Sequence, residues 1–222
     1  MSEGYPQRPF TPPPDATEIV LIRHGASAAA VPDEPFPLLG RHSDPPLSPE
    51  GREQALAVGA RLAAQDFAGV FVTPLRRTAE TAAPLCEAKG IEPVVIEDLI
   101  EVQLGELEGG EFRIRAAQGD PLIRRVFTEQ RWDVIPGAEP MHALAQRVRS
   151  GMAKIVGAVG AGGVAAAVLH GGIIAELCRQ ATGSRALAFA HVDNASVSRL
   201  VVFPSGRWLL HSFNDTTHLG GG

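Results

Sequence analysis

The chain has 222 residues, 45 % of them apolar, and a formal net charge of −5 at pH 7. This length suits one medium-sized domain, and the apolar share is sufficient for a buried core. The acidic balance excludes broad electrostatic attraction to nucleic acid or to an anionic membrane surface, but it allows a local positive pocket.

Residues 1–16 are rich in proline and lack an apolar segment, so we expect a flexible N-terminal tail rather than a signal peptide. The longest weakly polar stretch, residues 155–169, is interrupted by glycines and is too short to predict a membrane span. The two cysteines, Cys86 and Cys178, fall within predicted helices, which indicates reduced thiols in a cytoplasmic protein rather than a disulfide.

Strands and helices alternate in the first half of the chain. Residues 19–22 predict a buried strand, and residues 31–46, rich in proline and glycine, predict a loop. Ser48 and Pro49 predict the N-cap and the first residue of a helix over 49–64. We then expect a strand at 70–72, a helix capped by Thr73 and Pro74 and ended by Gly90, and a strand at 93–96.

The second half of the chain begins with a different pattern. Residues 104–136 combine glycines with scattered arginines, and we predict a mainly helical insertion there. The elements predicted after it are a helix at 139–159, a strand at 163–169, a helix at 172–181 and two strands at 197–203 and 207–212. The alternation predicts a three-layer α-β-α fold with a mostly parallel sheet, in a single domain over residues 17–222.

Polar residues follow three of the predicted strands. They are Arg23, His24 and Gly25 after the first, Thr73, Arg76 and Arg77 after the second, and His170, Gly171 and Gly172 after the strand at 163–169. The carboxyl ends of parallel strands open on one edge of a sheet, where ligands bind, so these side chains are expected to meet. Two histidines and two or more arginines in one crevice indicate an anion site suited to phosphoryl chemistry.

A glycine follows each of these two histidines, which is expected to let a ligand approach the backbone closely. The helix that begins at Gly172 would offer free N–H groups and the positive end of its dipole to a phosphate. Arg76 and Arg77 stand at a helix start, where cations oppose the dipole, so we expect an anion to compensate them. Each feature alone also has a simpler explanation as a solvated surface group, and only the combination favours the anion site.

Six longer segments contain these residues or lie between them. They are L-I-R-H-G at 21–25, D-P-P-L-S-P-E-G-R-E-Q-A at 44–55, T-P-L-R-R-T-A-E-T-A at 73–82, L-I-E-V-Q-L-G-E-L-E-G at 99–109, P-G-A-E at 136–139 and V-L-H-G-G-I at 168–173. In this order they resemble the motifs of the histidine phosphatase superfamily, the phosphoglycerate-mutase-like proteins. The resemblance covers most of the chain and implies that the helical insertion at about 104–136 lies over the active site.

The resemblance implies a catalytic mechanism for a phosphate monoester. His24 would attack the phosphorus and form a phosphohistidine, which water would then hydrolyse. Arg23, Arg77 and His170 would surround the phosphoryl oxygens and stabilise the charge that gathers on them. Glu101 would protonate the leaving oxygen and then activate the water, for which it needs a raised pKa.

The resemblance also implies a set of substrate-binding residues. By the family pattern the phosphate ligand on the second helix is Arg77 rather than Arg76. The predicted substrate-binding residues are Arg23, Ser27, Arg77, His170 and Gly171. No metal and no other cofactor is implied, because the arginines supply the positive charge that a cation would otherwise bring.

The chain departs from the family pattern just after the nucleophile motif. Ala26 and Ser27 stand where the family usually has Glu or Gln and then Thr, and Ala30 stands where it often has Asn. Ser27 keeps a hydroxyl group, whereas the two alanines lack polar groups that would contact phosphate or substrate. We therefore expect the departures to affect substrate affinity, rate and specificity rather than the chemistry.

Other polar residues have no assigned role in the sequence. The candidates for contact with the organic part of a substrate, or else for solvated charge, are Arg41, His42, Arg113 and Arg115. The remaining histidines match no metal-ligand spacing, and surface or supporting roles are expected for His142, His191, His211 and His218.

We predict a cytoplasmic phosphomonoesterase that acts on a small phosphorylated metabolite, without a nucleic-acid or membrane partner, and a homodimer is compatible with the sequence. One alternative is a phosphoglycerate mutase, which returns the phosphoryl group to a substrate. The residues Gly172 and 99–102 disfavour it, because mutases of the family tend to have Asn and an Asn-Glu-Arg segment there. Two further alternatives are a binding protein, with Ala26 and Ala30 as signs of weakened catalysis, and a metal-dependent phosphohydrolase.

Overall fold

The protein folds around a six-stranded sheet, which a computed structural model describes together with the rest of residues 4–220. The strands are β1 (Thr17–Arg23), β2 (Leu38–Leu39), β3 (His42–Ser43), β4 (Gly69–Val72), β5 (Val94–Val95), β6 (Val164–Leu169), β7 (Val197–Val202) and β8 (Trp208–Asp215). The α-helices are α1 (Pro49–Leu62), α2 (Arg76–Lys89), α3 (Glu111–Ala117), α4 (Pro121–Glu129), α5 (Met141–Val159) and α6 (Gly171–Thr182). Short 3₁₀ helices lie at Glu97–Leu99, Gly105–Leu107, Trp132–Val134 and Thr217–Leu219.

The strand order in the sheet is β5-β4-β6-β1-β7-β8. β1, β6, β4 and β5 pair in parallel, and β8 shares their direction because it pairs antiparallel with β7, which pairs antiparallel with β1. β7 therefore runs against the other five strands, and the prediction of a mostly parallel sheet is confirmed. Because β4, β6 and β1 are neighbours, their carboxyl ends meet at one edge, as expected for a ligand site.

The sheet is covered on both faces by helices, which confirms the three-layer fold. Along β1, Ile19 and Leu21 face one side and pack with residues of α5 and α6. Val20 and Ile22 face the other side and pack with residues of α1 and α2. The continuous apolar run of this strand follows from burial on both faces.

The insertion between β5 and α5 is mainly helical, as predicted, and consists of α3, α4 and short 3₁₀ helices. Its residues Leu107, Ile123, Val126 and Trp132 are buried in the same cluster as Leu144 of α5. The insertion therefore shares the main core instead of forming a core of its own, which fixes its position beside the carboxyl edge of the sheet.

Element boundaries follow the predictions where a local signal marks them. Ser48 caps α1, since its Oγ accepts a hydrogen bond from the N–H of Gly51 at 3.0 Å, and Gly90 ends α2 in the left-handed conformation. The loop predicted at 31–46 contains the short hairpin of β2 and β3, which the sequence did not indicate. Its strands have two residues each, and Leu38 and Leu39 are exposed, so no alternation of apolar residues announces them.

The segment before β1 contacts the body of the domain through Phe10 and contains a hydrogen-bonded turn just before the strand. The Phe10 ring meets the His211 ring with 5.3 Å between the centroids, and the N–H of Ala16 donates to the Pro13 carbonyl at 3.0 Å. The flexibility of the tail at 1–16 and the domain bounds at 17–222 stay predictions, and residues 1–3 and 221–222 lie outside the described residues.

Cys86 and Cys178 lie in α2 and α6 and are buried free thiols, as the sequence indicated. Burial raises the pKa of the Cys178 thiol to about 12. Among residues 4–220 there is no helix with both the length and the apolar character needed to cross a membrane.

Candidate active site

A pocket of about 340 Å³ opens at the carboxyl edge of the sheet. Arg23, His24, Arg77 and Glu101 line one end of it, together with Gly171 at the start of α6. These residues come from the ends of β1, β4 and β6 and from the segment after β5. The structure thus brings together the residues that the strand ends and the family motifs singled out.

Two hydrogen bonds hold the His24 imidazole in one tautomer. Nδ1 lies 2.8 Å from the carbonyl oxygen of Gly25, and because a carbonyl oxygen only accepts, Nδ1 carries the proton. Nε of Arg77 donates to Nε2 at 3.2 Å, so Nε2 carries the lone pair. The imidazole is therefore uncharged, and its lone pair is directed at a guanidinium group.

Burial and nearby positive charge keep His24 uncharged. The residue is 3 % exposed, and the loss of solvation lowers its pKa well below the ordinary value. The guanidinium groups of Arg77 and Arg23 lower this pKa further, and the hydrogen bond to Gly25 opposes them. An uncharged imidazole with an unprotonated Nε2 is the nucleophilic form of histidine.

Arg23 and Arg77 are each anchored by a backbone carbonyl. Nη1 of Arg23 donates to the carbonyl of Val192, and Nη1 of Arg77 donates to that of Ser43 at 2.8 Å. Nε of Arg23 is buried and has no hydrogen-bond partner among residues 4–220. Burial lowers the pKa of Arg77 to about 10, which leaves its guanidinium charged at neutral pH. The two side chains bring charge and N–H donors to the pocket wall, as phosphate binding requires.

His170 is fully buried, and its ring centroid lies 5.3 Å from that of His24. Its Nε2 is 2.8 Å from the Thr73 hydroxyl, which is itself 3.2 Å from the Thr78 hydroxyl. Nδ1 of His170 has no partner within the described part of the chain, and its contact with a phosphoryl oxygen stays a prediction. Because a hydroxyl group can donate or accept, Thr73 can bond Nε2 whether this imidazole is neutral or charged.

Glu101 is a carboxyl group whose pKa is raised by burial. Oε1 accepts a hydrogen bond from the N–H of Val102 at 2.9 Å, and Oε2 accepts one from the N–H of Gly172 at 3.4 Å. These bonds and the charges of Arg77 and Arg23 oppose the effect of burial without cancelling it. A raised pKa allows this carboxyl group to hold a proton for a leaving group and to accept one from water.

A side chain of α5 holds the segment that carries Glu101. Arg147 donates from Nη1 to the carbonyls of Asp98 at 2.8 Å and Ile100 at 2.7 Å, and from Nη2 to that of Glu101 at 3.1 Å. The same guanidinium pairs with both oxygens of Glu139, at 2.6 and 2.8 Å. Arg147 was not predicted from the sequence, although Glu139 in the P-G-A-E segment indicated that a cation would lie nearby.

The glycines after the two histidines are closely packed, and the close approach of a ligand to the backbone of Gly25 stays a prediction. A Cβ on Gly25 would lie 2.4 Å from the carbonyl oxygen of Gly51 in α1. A Cβ on Gly172 would lie 2.7 Å from Oε1 of Glu101, and the N–H of Gly172 is bonded to Glu101 instead of being free for a phosphate. Gly171 lines the pocket, and its contact with substrate stays a prediction.

The start of α2 also differs from the prediction. The helix begins at Arg76 with Leu75 as N-cap, so Thr73 lies before the cap position. The Thr73 hydroxyl bonds His170 and accepts a hydrogen bond from the N–H of Leu75 at 3.3 Å. Oδ1 of Asp44 accepts a hydrogen bond from the N–H of Arg76 at 2.9 Å, which places a carboxylate at the helix start. The anion expected to compensate the cations of this helix is therefore, in part, a side chain of the protein itself.

Arg113 of α3 stands at the rim of the pocket, and Ser27 supports it. Nη2 of Arg113 donates to the Ser27 hydroxyl at 2.7 Å, and Nη1 donates to the Ala28 carbonyl at 3.0 Å. Its guanidinium carbon lies 5.6 Å from the centroid of the Phe36 ring. A direct contact between Ser27 and substrate stays a prediction, because the hydroxyl group faces Arg113 in the structure.

The other candidates for substrate contact divide in two. His42 lines the pocket, whereas Arg41 is exposed and Arg115 pairs with Asp120 at 2.6 Å. Ala30 borders the first residue before α3, since a Cβ on Gly110 would lie 3.1 Å from the Ala30 Cβ. The loop after β1 thus meets the insertion through Ala30 and Ser27, two of the three departures from the family pattern. The third, Ala26, contacts α1, since its N–H donates to Oε1 of Gln54 at 2.8 Å.

The histidines outside the motifs have separate surroundings. The His191 ring stacks on Phe127 with 5.8 Å between the centroids, and His218 contacts the Ala195 carbonyl at 3.0 Å. Across residues 4–220, no three side chains of His, Cys, Asp or Glu gather in a metal-binding arrangement. Independence of a metal stays a prediction.

An uncharged buried histidine beside two anchored arginines, at the carboxyl edge of an α/β sheet, is typical of proteins that bind and transfer phosphoryl groups. The chain belongs to the histidine phosphatase superfamily, since the model of branch 1 of this superfamily matches residues 19–216. The resemblance found in the sequence motifs is thereby confirmed.

Two relatives align with most of this chain. A bifunctional protein of Mycobacterium tuberculosis is 32 % identical over 207 residues, which are 91 % of this chain and 55 % of that protein. The chain therefore spans about half the length of this relative. A Yersinia enterocolitica protein named probable phosphoglycerate mutase is 26 % identical over 91 % of this chain and 94 % of its own length.

Solved structures share the fold. Mycobacterial glucosyl-3-phosphoglycerate phosphatase superposes with a TM-score of 0.74 at 27 % identity, over 90 % of this chain and 100 % of its own. Phosphoglycerate mutase from Bacillus anthracis superposes with a TM-score of 0.75 at 22 % identity, over 92 % of this chain and 96 % of its own. The second likeness concerns the fold alone.

Proposed function

We propose that this protein is a phosphomonoesterase that hydrolyses a small phosphorylated metabolite through a phosphohistidine at His24. The observation that carries the proposal is the state of this imidazole, whose Nδ1 donates to Gly25 at 2.8 Å while Nε2 accepts from Arg77 at 3.2 Å. The superfamily and a 27 % identical mycobacterial phosphatase, which was solved with inorganic phosphate, support it.

In the first step, Nε2 of His24 forms a bond to phosphorus while the bond from phosphorus to the ester oxygen breaks. Glu101 gives its proton to the departing oxygen, so an alcohol leaves and the carboxylate remains. The positive charge on the phosphorylated ring is stabilised by the Gly25 carbonyl at Nδ1. Arg23, Arg77 and His170 bind the phosphoryl oxygens and stabilise their charge.

In the second step, a water molecule attacks the phosphohistidine. The carboxylate of Glu101 takes a proton from this water as its oxygen bonds to phosphorus, and the bond from phosphorus to Nε2 breaks. Inorganic phosphate leaves, His24 is again neutral with its proton on Nδ1, and Glu101 is again protonated. No metal is needed in this scheme, because the arginines supply the positive charge. A cytoplasmic location and a homodimer stay predictions.

The test compares the wild type with His24→Ala and with His142→Ala, a control that removes an exposed histidine outside the pocket. With p-nitrophenyl phosphate we expect His24→Ala to lose roughly 10³-fold or more in kcat, since it lacks the nucleophile, while the control keeps its activity. Alkaline quenching is expected to trap a phosphoryl group that is stable in base and labile in acid in the wild type and the control.

The outcomes also separate the alternatives. Equal turnover by the wild type and His24→Ala would refute the proposal. Transfer to a second substrate that depends on bisphosphoglycerate would assign a mutase, and binding of phosphate without turnover of any ester would assign a binding protein. Activity that EDTA abolishes and a divalent cation restores would assign a metal-dependent phosphohydrolase.

A further inference from the structure

Beyond the catalytic end, the wall of the pocket consists largely of carbon. The apolar and aromatic side chains that line it include Phe36, Leu104, Leu107, Phe112, Phe127 and Trp132. They come from the loop after β1 and from the insertion, which are the parts of the chain that face the leaving group if phosphorus lies at His24.

Aromatic rings form a continuous surface on the insertion side. The Trp132 ring lies 6.0 Å from Phe112 and 6.5 Å from Phe127, measured between centroids, and both pairs are steeply inclined, at 58° and 69°. On its other side, Phe127 is stacked with His191 at 5.8 Å and 9°. Such rings are held at fixed angles by one another, and they present faces and edges to whatever enters the pocket.

Two polar side chains of this wall, Glu108 and Ser43, are occupied by each other and by backbone groups, whereas the side chains of His42 and His191 have no hydrogen bond to the described residues. Glu108 accepts from the N–H of Ser43 and the N–H of Leu104, both at 2.8 Å, and from the Ser43 hydroxyl. The Ser43 hydroxyl accepts from the N–H of Gly109 at 2.8 Å. A sugar that entered here would find the two imidazoles but few other partners, so most of its hydroxyl groups would stay unpaired, which costs binding free energy.

The positive charge at the rim belongs to the phosphoryl end. Arg113 donates to the Ser27 hydroxyl and the Ala28 carbonyl in the loop directly after His24, so this guanidinium lies near the nucleophile. Burial, and after it the charge of Arg23, lowers the pKa of Arg113. A carboxylate on the leaving group would therefore compete with the phosphoryl oxygens for the same cations instead of finding a separate partner along the aromatic wall.

We propose that the leaving group of the substrate carries a flat, uncharged aromatic ring, which packs against Phe112 and Phe127. This inference rests on the proposed function and names the substrate class of the same site. The ring gains from exclusion of water and from ordered contacts between aromatic edges and faces. Esters of polyhydroxylated or carboxylated alcohols have neither of these two favourable contributions to binding.

The test uses phosphate esters that all release a primary alcohol, so that leaving-group reactivity is matched. The esters are 2-phenylethyl phosphate, 2-cyclohexylethyl phosphate, glucose 6-phosphate and 3-phosphoglycerate. We expect kcat/KM for the phenyl ester to exceed that for the cyclohexyl ester about 3-fold and those for the other two about 10-fold or more. The proposal is overturned if glucose 6-phosphate or 3-phosphoglycerate is turned over as well as the phenyl ester.

Variants locate the effect in the pocket. Phe127→Leu is expected to lower kcat/KM for 2-phenylethyl phosphate about 3- to 10-fold, to change that for glucose 6-phosphate less than about 2-fold, and to leave inhibition by inorganic phosphate unchanged. Phe10→Leu makes the same chemical change outside the pocket and is expected to have no effect. His191→Ala changes an exposed side chain that stacks on Phe127, and it is also expected to lower kcat/KM for 2-phenylethyl phosphate. It tests the same wall if Phe127→Leu folds poorly. An equal loss with both esters would refute the role of the ring.

Failure of this inference is distinguishable from failure of the proposed function. If no ester is turned over above the level of His24→Ala, the proposed function fails. In that case the shift in Tm that 2-phenylethylphosphonate causes is compared with the shift that 3-phosphonopropionate causes. A larger shift with the phenyl compound would support the preference for an aromatic ring, and a smaller or equal one would overturn it. If the esters are turned over but kcat/KM for the phenyl ester is not the highest, only the proposed preference for an aromatic ring is overturned.

Discussion

The hydrogen bond from Arg77 to Nε2 of His24 occupies the lone pair that the proposed chemistry uses. An incoming phosphoryl oxygen, with its negative charge, is a better acceptor for the guanidinium than a neutral imidazole. We therefore expect substrate binding to draw this donor away and to free Nε2 as phosphorus arrives. Arg77 would thus protect the unprotonated form of His24 before binding and stabilise the phosphoryl group afterwards.

A prediction at the scale of one residue concerns the proton of Glu101. Glu101→Gln keeps the shape but cannot transfer a proton, so kcat/KM for an alkyl phosphate is expected to fall about 10²- to 10⁴-fold. The loss with p-nitrophenyl phosphate is expected to be much smaller, because nitrophenolate leaves without protonation. In the wild type, kcat/KM for the alkyl ester falls as pH rises through the raised pKa of Glu101, and this alkaline limb should vanish in the variant.

The control for this prediction is Glu106→Gln, which changes a nearby exposed carboxylate paired with Arg115. It is expected to leave kcat/KM for both esters, and its pH dependence, unchanged. Equal losses with the alkyl and the nitrophenyl ester in Glu101→Gln would mean that Glu101 does not protonate the leaving group.

At the scale of elements, the segment after β5 owes its position to α5. It lacks regular structure apart from the short 3₁₀ helix Glu97–Leu99, and Arg147 bonds three of its carbonyls. The planar fork of arginine can reach these carbonyls and the Glu139 carboxylate together, whereas a lysine ammonium is a single compact donor. Arg147 is therefore a positioning residue for Glu101.

We expect Arg147→Lys to lower kcat/KM for an alkyl phosphate about 10-fold through misplacement of Glu101, with inhibition by inorganic phosphate unchanged. In the Glu101→Gln background, the same substitution is expected to lower kcat/KM only slightly further. A merely structural role of Arg147 would not produce this coupling between the two residues. Arg149→Lys, on the same helix but over Trp208, is the matched control. Additive losses in the double variant would contradict the assignment.

At the scale of the whole molecule, an acidic protein with a formal charge of −5 maintains a positive pocket. His24, in the pocket wall, and His170, buried beside it, are both at most 3 % exposed, and their pKa values lie well below the ordinary one. Burial is the largest cause for both, followed by the charge of Arg77. Such an active site lowers the stability of the protein in acid. The reason is that these imidazoles bind protons readily in the unfolded chain and poorly in the native one.

The sign of the pH dependence follows from linkage. Below about pH 6.5 the unfolded state binds more protons at these two residues than the native state, so the free energy of unfolding falls as pH falls, by at most about 1.4 kcal/mol per pH unit for each histidine. Urea denaturation at pH 7.5, 6.5 and 5.5, without phosphate in the buffer, is expected to show a smaller fall for His24→Gln than for the wild type. The exposed control His142→Gln should behave as the wild type does, and an unchanged fall in His24→Gln would refute this account.

Much of the fold could be predicted because its signals are local. Ser48 and Pro49 start α1, Gly90 ends α2, and a continuous apolar run marks β1 as buried on both faces. The start of α2 was misplaced because Thr73 is suited locally to an N-cap, while its hydroxyl group is bonded to His170, 97 residues further along the chain. Local chemistry could not reveal a partner at that distance.

The sequence by itself determined the family and the residues at the ends of the central strands. These residues stand in contiguous motifs, and both the motifs and their order can be read from the sequence alone. Only the tertiary structure decided what surrounds them. It placed Thr73 on His170, Arg147 under Glu101 and Arg113 on Ser27, and it assigned Gly25 to helix packing. The physical reason is that these contacts, like the aromatic wall of the pocket, join side chains from distant segments, and their distances depend on how the layers pack.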